Sequence, residues 1–191
     1  MKNHPPNETK TTARILEAEA IGRALRRMAH ETTERHADLG AVLLAGIPAR
    51  GAALAERLAD EIEAIAKTRV ATGVIDVSMH RDDIGRRSGL PVVRASQLPQ
   101  PLEGRTVIIV DDVLFTGRTC RAAMDALGSF GRPACIQYAV LIDRGHRELP
   151  IRPDYVGKNF PTAPAERVRV RLQATDGEPD GVWLLKPEKN E

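Results

Sequence analysis

Between Val107 and Thr119 an apolar run, Val107-Ile108-Ile109-Val110, leads through Asp111 and Asp112 to Val113, Leu114 and Phe115, and then into Thr116-Gly117-Arg118-Thr119. Helical spacing follows from Arg118 to Phe130. A buried strand that delivers two carboxylates and a Thr-Gly-x-Thr turn to the head of a helix belongs in an open α/β sheet, where ligands bind outside the carboxyl ends of the strands. The helix presents unpaired N–H groups and the positive end of its dipole there, which suits an anion. Thr116 and Thr119 add hydroxyl donors, and Gly117 lets the backbone approach a phosphate without a Cβ in the way. Asp111 and Asp112 cannot serve a phosphate; they suit a diol, as acceptors, or a hydrated Mg²⁺. An isolated Asp-Asp pair is usually a helix cap or a solvated turn. In this context it points to a ligand that carries both a phosphate and free ribose hydroxyls.

The flanking pattern agrees. Ala13 to His36 has apolar residues at helical spacing, Ala41 to Ile47 is a short buried strand, and a helix is expected from Ala52 to Ala66. Val70 to Met79 and Ala134 to Ile142 read as further strands. This alternation predicts a parallel sheet covered by helices on both faces. His80 to Pro101 is polar and rich in Arg, Gly and Pro, too long for an ordinary connection, and is expected to be a mobile lid or an extended hairpin. From Asp143 the pattern breaks into short pieces around Pro150, Pro153, Pro161 and Pro164, so residues 143–186 are expected to form a small C-terminal cap beside the sheet. Residues 1–12 and 187–191 read as solvated tails around one domain, 13–186, as a chain of 191 residues favours.

Composition excludes other classes. The chain is 42% apolar and 28% charged, with a formal net charge of +2, so it is not disordered throughout and any nucleic-acid contact must use local patches. Cys120 and Cys135 form no C-x-x-C pair or Cys/His cluster, which removes zinc and disulfide frameworks and fits a cytoplasmic protein with reduced thiols. No apolar run approaches the roughly 20 residues needed to span a membrane, and the N-terminus has no signal-peptide core. Gly46 to Gly51 has Walker-like glycine spacing but continues Ala52-Ala53 instead of Lys-Ser/Thr, and no G-x-G-x-x-G follows a strand.

Val107 to Thr119 resembles the phosphoribosyl-diphosphate (PRPP) signature of type I phosphoribosyltransferases. Ala20 to Glu31, His80-Arg-Asp-Asp83, Val140 to Ile151 with its Asp-Arg-Gly-His-Arg-Glu-Leu-Pro run, and Gly157-Lys158-Asn159 extend the resemblance over roughly Ile15 to Leu172. They are similar to the family of bifunctional pyrimidine-operon regulators and uracil phosphoribosyltransferases. His80 and Phe115 depart from it, since Tyr is usual at both positions.

The resemblance implies the type I phosphoribosyltransferase fold and the conversion of uracil and PRPP to UMP and diphosphate, with Mg²⁺. It implies that Asp111 and Asp112 address the ribose 2′- and 3′-hydroxyls, that Thr116 to Thr119 hold the 5′-phosphate, and that the Gly46 loop with Ala49, Arg50 and Gly51 grips the diphosphate. No direct protein ligand to the metal is assigned. Arg81 is expected to close the lid over the site, and Ile142, Asp143 and Arg144 to wall the uracil.

Arg23, Arg26, Arg27 and His30 stand at i, i+3, i+4 and i+7 and share a helix face, with Arg35 further along. A second cluster holds Arg144, His146, Arg147, Arg152 and Lys158. Such a face is ordinarily a solvated surface balanced by acids, here Glu17, Glu19, Glu31, Glu34 and Glu148. The resemblance implies instead that it binds pyr-operon leader RNA when UMP or UTP occupies the PRPP site, with attenuation or translational control as the result. At 3% aromatic residues, recognition would use Arg contacts and RNA shape more than ring stacking. A homo-oligomer, a dimer or larger, is expected. The alternative is a metabolic phosphoribosyltransferase that binds no RNA.

Overall fold

The structure is a computed structural model, and it describes residues 9–78 and 96–187. Its centre is a five-stranded, all-parallel sheet in the order β3-β2-β4-β5-β6, built from β2 (Val42–Gly46), β3 (Ala71–Val74), β4 (Thr106–Leu114), β5 (Cys135–Asp143) and β6 (Tyr155–Asn159). Helices α1 (Ala18–Arg35) and α2 (Arg50–Ala66) cover one face and α3 (Arg118–Leu127) the other.

The period-2 pattern of the strands produces these two layers. In β4, Ile108 and Val110 pack with Leu25, Met28, Leu54 and Leu58 of α1 and α2, whereas Val107 and Ile109 pack with Ala122, Ala123 and Leu127 of α3. The apolar stripe of α1, Ile21, Ala24, Leu25, Met28 and Ala29, is buried as its spacing predicts. Thr32 lies on the same stripe and returns its hydroxyl to the Met28 carbonyl at 2.8 Å, so no buried donor is left open.

Four sequence expectations change. The helix expected from Ala13 begins at Ala18, because β1 (Thr9–Glu17) precedes it, so the expected tail yields Thr9 to Thr12 to a strand. β1 pairs antiparallel with β8 (Gly181–Pro187), which also pairs with β7 (Arg167–Arg171), giving a separate sheet ordered β1-β8-β7. Ile15 and Leu16 fit either period; the partner that decides for a strand lies at the other end of the chain. Second, Tyr155–Asn159, expected in the cap, extends the central sheet as β6 parallel to β5. The cap is the small sheet with the short α4 (Gln173–Asp176) between β7 and β8. Third, β4 continues past Val110 to Leu114, so the acidic pair is part of a strand and the loop starts at Phe115. Fourth, the strand expected from Val70 to Met79 is shorter, Ala71–Val74, and Met79 and most of the expected lid lie outside the described residues. Among the described residues no helix is long and apolar enough to cross a membrane.

Candidate active site

Because β4 is still extended at Asp111 and Asp112, the two side chains leave opposite faces of the sheet. Asp111 turns to the α3 side and is 7% exposed. Its Oδ2 accepts the Tyr138 hydroxyl at 3.2 Å and its Oδ1 accepts the Asp112 N–H at 2.9 Å. Burial, and then the neighbouring Asp112 charge, push its carboxyl well above the ordinary range. Asp112 stays half-buried on the α2 side. Burial raises it too, opposed by the attraction of Arg50 at the head of α2. Asp111 is thus tied to Tyr138 and to the Asp112 N–H, whereas Asp112, still in contact with the Asp111 carboxyl, keeps the more exposed side chain.

The loop after β4 is held by residues that follow β5. The Thr116 carbonyl accepts N–H bonds from Glu148 at 3.0 Å and Leu149 at 3.2 Å. Arg147 donates to the carbonyls of Phe115 at 3.0 Å, Gly145 at 3.2 Å and Ile151 at 3.1 Å, and pairs with the Asp143 carboxylate. Arg144 stacks its guanidinium 4.0 Å from the Phe115 ring centroid and donates to Thr162 Oγ1 at 2.9 Å and the Glu166 carbonyl at 2.6 Å. Gly117 adopts φ +91°, and a Cβ there would also crowd Ile151, so glycine is required before the first amides of α3. Arg118 pairs with Glu148 at 2.7 Å.

These contacts redirect several sequence assignments. Arg144 is 5% exposed and engaged inside the protein, so its side chain braces the loop after β4 at Phe115 and is not an open uracil wall. Ile142 is wholly in the core and offers uracil no side-chain surface. Arg147, assigned to RNA, is bound up in the same bracing. Asp143 does line a cavity of about 460 Å³ with Ile151, Val156 and Asn159; the sequence named Ile151 and Asn159 only within the family resemblance and Val156 not at all.

Across the sheet edge, Ile47 to Ala49 join β2 to α2, with a cis Pro48–Ala49 peptide. Ile47 N–H binds the Val110 carbonyl at 2.9 Å. The Walker-like glycines have a steric cause: a Cβ on Gly46 would stand 2.4 Å from Ala52 Cα, and one on Gly51 2.3 Å from the Val110 carbonyl oxygen. The head of α2 is thereby seated on β4 one residue before the acidic pair. Arg50 forms a two-pronged pair with Asp176 of α4, Nε to Oδ2 at 3.1 Å and Nη2 to Oδ1 at 2.6 Å. A cleft of about 700 Å³ opens here, lined by Pro48, Ala49, Ala52, Val74, Gln97 and Thr175. Tyr138 and Asp176 escaped the sequence reading because neither belongs to a local motif. Arg81 lies outside the described residues.

Of the expected RNA-facing residues, Arg23, Arg26, Arg27 and His30 are exposed on α1. Arg23 pairs with Glu19 at 3.6 Å, Arg26 with Glu61 at 3.1 Å and Arg27 with Glu31 at 2.6 Å. Arg27 also donates to the β6 carbonyls of Val156 and Gly157 at 2.8 and 2.7 Å, and Arg35 pairs with Asp154 at 3.0 Å. The α1 stripe therefore borders the β6 edge, where Arg152 and Lys158 are exposed. His146 is exposed and binds the Thr162 carbonyl.

The phosphoribosyl transferase domain family matches residues 11–174. Bifunctional protein PyrR of Roseiflexus sp. (strain RS-1) is 56% identical over 172 residues, covering 90% of this chain and 94% of that one. Bifunctional protein PyrR of Deinococcus radiodurans is 51% identical over 180 residues, covering 94% and 98%. Among solved structures, hypoxanthine phosphoribosyltransferases of Staphylococcus aureus (TM-score 0.68, 20% identity, 93% and 94% covered) and Trypanosoma cruzi (TM-score 0.69, 20% identity, 93% and 98% covered) share the fold. The acidic pair, the two loops at one sheet edge and these likenesses lead to one assignment: the chain belongs to the phosphoribosyl transferase domain family and, within it, to the bifunctional PyrR proteins.

Proposed function

We propose that this protein transfers the phosphoribosyl group of PRPP to uracil, giving UMP and diphosphate, and that uridine nucleotide in the same site promotes binding to pyrimidine-operon leader RNA in the cytoplasm. The observation that carries the enzymatic half is the convergence of two anion loops, Thr116 to Thr119 and Ile47 to Gly51, on either side of Asp112 at one sheet edge. A donor with a phosphate at one end, a diphosphate at the other and a diol between them matches that order of groups. Uracil then occupies the cavity beside Asp143, Val156 and Asn159.

Cleavage at the anomeric carbon builds positive charge on the ribose and negative charge on the departing diphosphate, so the protein must orient and stabilise charge more than supply a nucleophile. The first amides of α3 hold the 5′-phosphate, Asp112 accepts from the ribose hydroxyls, and Arg50 with the amides after Pro48 receives the diphosphate. The described residues contain no cluster of three metal-binding side chains, and Asp111 is bonded to Tyr138. That donor set fits a Mg²⁺ carried mainly by the substrate, with Asp112 as the protein carboxylate that supports it. When bound, Mg²⁺ supplies positive charge to the diphosphate.

The RNA half rests on the PyrR relatives and on the α1 stripe beside the β6 edge. Its ion pairs are exposed, worth little individually, and exchangeable for phosphates. The same pairing also favours the competing reading, a charge-balanced surface on a purely metabolic enzyme. Arg23 and Arg26 separate the two, because neither donates to β6 as Arg27 does. Charge reversal at both is expected to abolish UMP-stimulated leader binding and to leave UMP synthesis unchanged. Wild-type binding should fall with salt by about 0.7 log unit per phosphate contact and log unit of salt. Leader binding that ignores UMP, or that survives R23E/R26E, refutes the RNA assignment; absence of UMP synthesis refutes the enzymatic one.

A further inference from the structure

The cap is fastened to α2 by two ion pairs that look equivalent as staples and differ in place. Arg50 opens α2 and binds Asp176 through Nε and Nη2 at 3.1 and 2.6 Å. Arg57, two turns further along, binds Asp180 through Nη1 at 2.6 Å. Backbone amides hold both acids: Asp176 Oδ2 accepts the Leu172 N–H at 2.9 Å and Asp180 Oδ1 accepts the Gln173 N–H at 2.9 Å. Asp176 closes α4 and Asp180 precedes β8, so each carboxylate is presented from a short, defined connection.

Only the first pair has chain neighbours that line the cleft. Ala49 and Thr175, which precede Arg50 and Asp176 in the chain, are among its lining residues, whereas the neighbours of Arg57 and Asp180 are not. Arg50 also acts electrostatically on Asp112, so one guanidinium is linked by a direct pair to the cap carboxylate and through its charge to the carboxylate assigned to the ribose. An arginine at the head of a helix is a flexible side chain, and a carboxylate that takes its Nε–Nη2 edge fixes the plane of the whole fork.

We propose that Asp176 is a positioning residue for phosphoribosyl transfer: it grips the Nε–Nη2 edge of Arg50 so that the remaining Nη1 meets the leaving diphosphate, while the parallel Arg57–Asp180 pair only fastens the cap. This rests on the proposed transfer from PRPP and on the place of Arg50 in it. The cap thereby reaches the reacting groups through a side chain of α2, without itself touching the substrate.

Steady-state kinetics with melting temperatures on the full chain test it. In D176N, kcat/KM for PRPP is expected to fall at least about tenfold while the KM for uracil stays within about twofold, since one charge-assisted contact to the leaving group is misplaced. D180N is expected to lower the melting temperature by as much as D176N and to keep PRPP kinetics within about twofold. R50A should lose at least as much PRPP use as D176N, and adding D176N to R50A should change little, because both act through one guanidinium. Should D176N fold poorly, D176E carries the test: it retains the charge, displaces it by one methylene, and is expected to lower PRPP kcat/KM at an unchanged melting temperature. Equal losses of PRPP use in D176N and D180N overturn the proposal in favour of simple stapling. Wild-type kinetics in D176N with a defective R50A overturn the role of Asp176 and leave that of Arg50 standing. Wild-type kinetics in R50A overturn the parent assignment of Arg50.

Discussion

Gly51 offers a quantitative test of how the diphosphate loop is seated. In Gly51→Ala the new Cβ would stand 2.3 Å from the Val110 carbonyl oxygen, whereas ordinary contact begins near 3.4 Å, so α2 must retreat from β4 by about 1 Å. The same carbonyl accepts the Ile47 N–H at 2.9 Å, and that bond is stretched by the retreat. Overpacking of this kind and one weakened hydrogen bond together cost about 2 to 4 kcal/mol. For a chain of this length the melting temperature should fall by about 5 to 15 °C. A displacement of about 1 Å in a group that must meet the diphosphate should also reduce kcat/KM for PRPP about 100-fold. Differential scanning fluorimetry and a UMP-formation assay read the two effects. Gly22→Ala is the control: its Cβ meets nothing within 4 Å in the middle of α1, and the change should stabilise by about 0.5 to 1 kcal/mol. A Gly51→Ala protein that melts within about 2 °C of wild type and keeps its PRPP kinetics would refute the claim that this glycine locks the loop to the acidic strand.

Three further outcomes are expected. Tyr138→Phe removes the hydroxyl that donates to Asp111 Oδ2 at 3.2 Å and should cost about 1.5 to 3 kcal/mol in urea denaturation at pH 8; unchanged stability would show that this bond carries no weight. Asp111, pushed well above the ordinary range by burial and then by the Asp112 charge, binds more protons folded than unfolded between its two pKa values. Its contribution is complete below about pH 4 and is lost as pH rises through the folded value, so the stability of wild type minus that of Asp111→Asn should decline with rising pH, and a flat difference would refute it. Burial pushes the Cys120 thiol up to about 12, whereas Cys135 is exposed, so iodoacetamide at pH 8 should label Cys135 alone in the native protein; rapid modification of both would contradict the packing around α3.

β2 and the first half of β4 were legible because they are uninterrupted apolar runs, and α1 and α2 because they carry clean stripes, all signals local in the chain; β6, Tyr155-Val156-Gly157-Lys158-Asn159, has no such run and read as part of the cap. The turn from Phe115 to Gly117 was placed by a local signal as well, since it lies between the apolar run and the helix. What the sequence concealed depends on distant partners. Ile15 and Leu16 suit a helix or a strand equally until β8 is alongside. Arg144 and Arg147 look like surface cations, but Phe115, Asp143 and the carbonyls of two loops give them internal work. Asp176 is one acid among many until the fold brings it to Arg50, 126 residues earlier in the chain. Asp111 and Asp112 read as one unit in sequence, and the structure ties only Asp111 to the Tyr138 hydroxyl.

The pairing of β1 with β8 also has a consequence for biosynthesis. Among the described elements β8 comes last in the chain, so β1 has no lateral partner until β8 has been made. The parallel sheet contains strands β2 to β6 and can assemble earlier, while the small sheet must close afterwards. In this order the sheet edge that carries Asp112 can form before the Arg50–Asp176 contact, which waits for α4.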